Sequence, residues 1–384
     1  MRRSSETERA RLHDTFAALC RIESPSGQER ACADWVTAEL ETIGLDVQED
    51  ASGPAVGSEA GNLLARIPGR AQASILICAH LDTVPPVAPI EPVLVGGFWE
   101  NANEGILGAD NKSAVAVALE LARRLKSAPE PPPIGVEFLF TVCEEVSLRG
   151  SREFDVSQLE SSFGYVFDHA TPIGQVVVAS PSHYRIVAEF HGRAAHAGVR
   201  PEAGRSAIAA AAKAIAAMRL GRLDAETTAN VGLISGGTAI NVVPERCRVE
   251  AEVRSLDEPR AASVTTELID HLEDAANATE CDLDLTVERM FRGYRTKARA
   301  PQLAVAERAL RACGYEPVPI DSGGASDANS FETAGFACTN LADGTERNHE
   351  PGERISAQDL EVLLDIAITI VEEAAAELVP SAGA

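Results

Sequence analysis

The sequence predicts an α/β chain in which a mostly parallel sheet is interrupted by a smaller α+β unit. Three observations lead there. Short apolar runs rich in β-branched residues alternate with helical stretches in the N-terminal part. Near Pro181 the pattern switches to strands that alternate apolar and polar residues. Residues able to do chemistry lie at strand ends before that switch and again far beyond it. At 384 residues the chain is also longer than a single core, which stops growing near about 250–300 residues.

The elements follow in order. MRRSSETERARLHDTF has two arginines but no apolar run after them, so it reads as the start of a helix and not as a secretion signal. Ala31, Trp35, Leu40 and Ile43 recur at helical spacing, and Gly44 supplies the C-cap. Strands are expected at 62–67 and 74–79, a helix at 111–126, and a strand at 136–142 after the break PEPPPI. GYVFD is a further short strand ending at Asp168. Then come the strand HYRIVAEFHG, an Ala-rich helix in GRSAIAAAAKAIAAM, the strands TTANVGLI and RCRVEAEVRSL, a helix at 259–276 and the strand CDLDLTVE. That βαββαβ order is the ferredoxin-like split βαβ. The chain resumes with a helix at Pro301–Cys313, and a last helix opens at Ser356 with Asp359 as capping partner. The expected domains are 1–180 joined to 296–384, with 181–295 inserted.

Composition narrows the function. A net charge of −24, from 58 acids against 34 bases, argues against nucleic acid and anionic membrane surfaces as partners. No run reaches the roughly 18–20 apolar residues of a membrane span. The eight cysteines lack CxxC spacing, and Cys78 and Cys143 sit inside apolar strands, which points to a reduced, cytoplasmic protein.

The chemistry gathers at strand ends. His80 and Asp82 lie in AHLDTV, Glu144 and Glu145 close FLFTVCEE, Asp110 precedes a helix in GILGADNKSAVA, and His349 lies in GTERNHEPGE. Loops past the carboxyl ends of parallel strands converge on one crevice. Singly, each residue could be a polar strand end, a turn or a helix cap. Together, two imidazoles and several carboxylates exceed the three or four protein ligands of one zinc, and suggest two divalent ions sharing a carboxylate.

AHLDTV, GILGADNKSAVA, TVCEEVSLRGS, AAHAGVRPEAGRSAI, SGGTAINVVPE, GGASDANSF and NHEPGERIS occur in this order over nearly the whole chain. In them the chain resembles the peptidase T-like branch of the dinuclear zinc exopeptidases, a family that includes aminoacylases and glutamate-releasing carboxypeptidases. The resemblance implies a zinc-exopeptidase catalytic domain carrying a ferredoxin-like lid and dimerisation domain. It implies that His80 and Asp168 hold one ion and Glu145 and His349 the other, with Asp110 bridging. Zinc is the expected ion, with cobalt or manganese as alternatives. Asp82 matches the acid that hydrogen-bonds the far nitrogen of His80, and Glu144 the general base. The Asp110–Asn111 peptide is expected to be cis.

By the same resemblance His196 stabilises an oxyanion, in dimeric members within the partner's site. Asn241 and Arg254 hold the substrate's carboxylate end, and Gly323, Gly324 and Ser326 form a substrate-facing turn. The expected activity is hydrolysis of short peptides by an exopeptidase, in a homodimer formed through the lid. An aminoacylase or carboxypeptidase acting on N-acyl amino acids or dipeptides is the alternative. A catalytically silent peptide- or metal-binding protein is a third reading, disfavoured because a pure binder needs no base. Two positions depart from the pattern: Ser147 stands where Gly is usual, and Glu350 where a small residue is usual.

Overall fold

A computed structural model describes residues 3–379. They form two compact units, one running to Val178 and resuming at Thr296, the other spanning 179–295. The inserted unit thus begins two residues ahead of the expected 181. Each unit has its own apolar core.

In the first unit four parallel strands lie side by side, in the order Gly135–Thr141, Ser74–His80, Gly164–Phe167 and Cys338–Leu341. Antiparallel strands flank them, Leu63–Ile67 and Val47–Glu49 on one side and Gln175–Ser180 on the other. Ser74–His80 and Gly135–Thr141 are buried along their whole length, which is why both read as continuous apolar runs. Phe138 and Phe140 are fully buried here, and truncating either to Ala would cost about 3–5 kcal/mol.

The helix Glu6–Cys20 packs on Ala109–Ser127, which packs on Ala357–Leu378, which packs on Pro301–Cys313. Ser5 starts the first helix in a capping box with Glu8. Ser356 starts the last, accepting the Asp359 N–H at 2.9 Å. Helix Arg30–Thr42 is followed by Gly44 at φ +78°, left-handed backbone that glycine adopts without steric cost. The expected helix at 111–126 is preceded by a break: Asp110 and Asn111 are non-helical, and the peptide between them is cis.

A small antiparallel sheet was not legible in the sequence. It contains the hairpin Pro92–Val95 and Phe98–Asn101, turned by Gly96 and Gly97, both at positive φ. It continues through Arg354–Ser356 to Thr345–Glu346. The His349 loop is therefore held between two strands of this sheet.

The inserted unit is an antiparallel sheet in the order Gly221–Arg222, Thr227–Gly236, Arg246–Ser255, Ser182–His191, Asp282–Phe291. The strand order of the four long strands is ferredoxin-like; the two-residue strand Gly221–Arg222 adds to the expected βαββαβ. Alternate residues of Arg246–Ser255 are buried, the period-2 pattern of a sheet covered on one face. Helices Ala207–Ala217 and Glu258–Thr279 pack on that sheet. Ala207, Ala210, Ala211 and Ala214 form the buried stripe of the first, where small side chains let it approach closely. Among the described residues no helix is long and apolar enough to cross a membrane.

Candidate metal centre

Three adjacent parallel strands deliver the site. His80 is the last residue of Ser74–His80, Glu144 and Glu145 follow Gly135–Thr141, and Asp168 follows Gly164–Phe167. Their shared direction puts all three ends on one edge of the sheet. Gly108, at φ +76°, turns the chain so that Asp110 enters the same place, and His349 arrives from the small sheet.

Two groups of possible ligands result. His80, Asp110 and Asp168 offer atoms all within 4.8 Å of one another, as do Asp110, Glu145 and His349. Asp110 belongs to both. Its Oδ1 lies 3.2 Å from His80 Nε2, and its Oδ2 lies 3.3 Å from His349 Nε2. His80 Nε2 is also 3.7 Å from Asp168, and His349 Nε2 is 3.0 Å from Glu145. One carboxylate thus faces two imidazoles with separate oxygens, as a bridging ligand does.

The tautomer of His80 follows from its partners. Its Nδ1 donates to the backbone carbonyl of Asp82 at 2.9 Å, and a carbonyl can only accept. Nε2 is therefore the nitrogen that faces the carboxylates and the one a cation would take. The Asp82 carboxylate also faces Nδ1, with its Oδ1 3.5 Å away. Asp82 Oδ1 accepts the Glu144 N–H at 2.9 Å as well, while Oδ2 accepts the Glu145 N–H at 3.1 Å and the Ser26 hydroxyl at 2.7 Å.

The electrostatics fit a cation pair. Burial, reinforced by the charges of Asp168 and Glu145, pushes the Glu144 carboxyl well above its usual range. Burial and the Asp110 charge do the same to Asp168, and burial raises Glu145. Burial would lower His80, but hydrogen bonds with Asp110 and Asp168 outweigh it and hold it well above 6.5. Hydrogen bonds with Asp110 and Glu145 lift His349 to about 10. Acids crowded this closely hold protons more tightly, and divalent ions bound among them would relieve the repulsion. The donor set, imidazole nitrogen and carboxylate oxygen, is that of zinc and related ions.

Several supporting residues escaped the sequence reading. Asn340 pins Asp168 from both sides, accepting its N–H at 3.0 Å and donating to its carbonyl at 2.9 Å. Asn348 donates to Asp110 Oδ2 at 2.8 Å. Glu29 is fully buried and accepts the N–H groups of Gly27 at 2.8 Å and Cys143 at 3.1 Å. Glu353 accepts three N–H groups of the 107–110 turn. Burial raises its carboxyl to about 7. Burial also pushes the Cys143 thiol up to about 12, which leaves no thiolate nucleophile beside Glu144.

Ser147, where glycine is usual, is held at φ +76°, a left-handed conformation that costs a residue with a Cβ about 1–2 kcal/mol. Glu350 is exposed. Ser326 is buried and opens the helix Asp327–Thr333, its N–H donating to Asn329 at 3.2 Å. Gly324 donates to Ser322 Oγ at 3.0 Å in the preceding turn.

The other expected residues lie in the inserted unit. His196 is exposed, and its loop is joined to that of Asn241 by the Ala197 N–H to Asn241 carbonyl bond at 2.9 Å. Arg254 lies near the far end of Arg246–Ser255, paired with Glu252 at 3.1 Å. The Asn241 loop leads into the start of this strand.

Comparisons with known proteins agree with this architecture. A peptidase dimerisation domain model (M20_dimer) matches residues 182–280, and a peptidase family M28 model matches 62–169. Protein YqjE of Bacillus subtilis, itself uncharacterized, is 34% identical over 367 residues, covering 95% of this chain and 98% of its own. The solved aminopeptidase PepT of Bacillus cereus is 35% identical with a TM-score of 0.85, over 95% of this chain and 98% of that one. A tripeptidase of Staphylococcus aureus is 32% identical with a TM-score of 0.90, over 96% and 98%. Fungal proteins named "Probable carboxypeptidase" also match; the chain spans 59% of the one from Paracoccidioides brasiliensis, at 31% identity over 63% of this chain. The chain is a metal-dependent peptide hydrolase. With full-length relatives at these identities and a metal-ligand set in this arrangement, it belongs to the peptidase T-like branch of the M20 metallopeptidases.

Proposed function

We propose that the chain is an exopeptidase of short peptides that works with two divalent ions, zinc in the first place. The observation that carries this reading is Asp110, whose two oxygens face His80 and His349 separately. His80 and Asp168 would hold one ion, Glu145 and His349 the other, and Asp110 both. Bound there, such ions would polarise the scissile carbonyl and acidify the attacking water. Glu144 takes a proton from that water and returns it to the leaving amine nitrogen. Its raised carboxyl suits the second task, and its side chain has no hydrogen-bond partner among the described residues that would compete for the first. Asp82 keeps the Glu144–Glu145 backbone in place and fixes the His80 tautomer.

The dimerisation-domain match supports a homodimer formed through the inserted unit. The backbone bond between the His196 and Asn241 loops supports these two acting together, in the partner's site. Eight free thiols are compatible with a reducing, cytoplasmic setting.

The relatives include proteins named as an aminopeptidase, a tripeptidase and probable carboxypeptidases, so the substrate class needs a direct test. Di- and tripeptides and N-acetyl amino acids are offered to the protein with and without a chelator. Chelator-sensitive release of N-terminal residues from tripeptides supports the proposal. Turnover of N-acetyl amino acids alone overturns it in favour of an aminoacylase.

A further inference from the structure

Glu353 spans two segments that each carry a candidate metal ligand. It is 1% exposed and lies four residues after His349. Its Oε2 accepts the N–H groups of Leu107 and Gly108, both at 2.9 Å, and its Oε1 accepts the N–H of Asp110 at 2.9 Å. Its own N–H donates to the Glu350 carbonyl at 3.1 Å, which folds the chain after His349 back on itself. No Lys, Arg or His is paired with it among the described residues. The partners of this carboxylate are three backbone N–H groups, arranged in the concave turn that Gly108 makes possible at φ +76°.

That geometry demands a carboxylate. Three donors converge on two oxygens, and each oxygen must accept. A Gln in the same place keeps one accepting oxygen and turns an NH₂ toward an N–H that it cannot satisfy. The failing contact then lies either at Asp110 or at the Leu107–Gly108 turn that feeds it.

We infer that Glu353 is a positioning residue that fixes Asp110 between His80 and His349 and so sets the affinity of both cation positions. It acts through the Asp110 backbone and touches neither substrate nor reacting atoms. This inference rests on the dinuclear reading above. Because Asp110 is the shared residue, loss of Glu353 weakens both positions together, whereas loss of Glu145 weakens chiefly one.

The test is zinc titration of the full-length protein against a chromophoric chelator, comparing wild type with Glu353→Gln. Glu120→Gln serves as the control, since Glu120 is equally buried but paired with Arg11 away from the site. Residues that support a metal ligand typically change affinity by roughly 10–100-fold, and that loss is expected at both positions of Glu353→Gln. Glu120→Gln should lower the Tm and leave both affinities unchanged. Excess zinc should restore most of the peptidase activity of Glu353→Gln. If Glu353→Gln does not fold, Glu353→Asp keeps the charge but is one methylene too short for all three donors, and it must show the same double loss. Wild-type affinities in the folded variant overturn the inference. A wild-type protein that takes up fewer than two ions overturns the dinuclear reading itself, so the two failures are distinct.

Discussion

Asp82 and Glu144 are joined by a 2.9 Å hydrogen bond from the Glu144 backbone N–H to the Asp82 carboxylate. The other Asp82 oxygen holds the Glu145 N–H at 3.1 Å, and the Asp82 carbonyl holds His80 Nδ1 at 2.9 Å. One residue therefore orients three site residues, two through the backbone and one through its ring. Asp82→Asn is expected to lower kcat by roughly 10–100-fold, because its amide can accept only one of the two N–H groups. The stability loss should be about 1–3 kcal/mol, the cost of one buried N–H left unpaired. Steady-state kinetics and a denaturant titration measure the two effects; an unchanged kcat would refute the role.

Glu144→Gln and Glu145→Gln should separate base from ligand. The first removes the proton acceptor and should reduce kcat by about 10²–10⁴-fold while zinc stoichiometry stays at two. The second should lose one ion, with activity partly recovered at high zinc. Elemental analysis beside a peptidase assay tells them apart. The opposite pattern would exchange the two assignments.

Metal uptake should release protons. In the metal-free protein the His349 pKa is lifted to about 10, and those of His80, Glu144, Glu145 and Asp168 are raised. At pH 7 the His349 imidazole is therefore protonated, and a cation taking its Nε2 atom displaces that proton. A raised pKa means the proton is held until pH climbs through it, so apparent affinity should rise with pH from 6 to 9. Calorimetric titration in buffers of different ionisation enthalpy reads the number released. A pH-independent affinity would contradict this electrostatic picture.

What the sequence revealed and what it hid have physical causes. Ser74–His80 and Gly135–Thr141 were legible because strands buried on both faces must be apolar throughout. The ligands were legible because they stand just past those runs. Glu353, Asn340 and Glu29 were not, since each matters through backbone groups distant in sequence, and no local pattern encodes them. The small sheet holding His349 was hidden for the same reason: its strands of two to four residues are too short for any periodicity. For Asp82, spacing of two residues brings its side chain to the face of His80 but does not say that its carbonyl comes nearer to Nδ1 than its carboxylate.

His196 offers the sharpest test of how two copies cooperate. It is exposed on the inserted unit, in a loop tied to that of Asn241. If it donates to the developing oxyanion, His196→Ala should lower kcat by about 10²–10³-fold with little change in KM, because the interaction strengthens in the transition state. Mixing His196→Ala with Glu144→Gln subunits then distinguishes the two geometries. If His196 serves the partner's site, a hybrid dimer pairs an intact Glu144 with an intact His196 at one of its two sites. Activity should then recover to as much as a quarter of wild type, since about half the dimers are hybrids after free exchange and each has one complete site. If His196 serves its own chain, every hybrid site lacks one residue or the other and no activity returns. Subunit exchange is verified with differently tagged copies, so that a silent mixture counts against the cross-subunit arrangement and not against mixing.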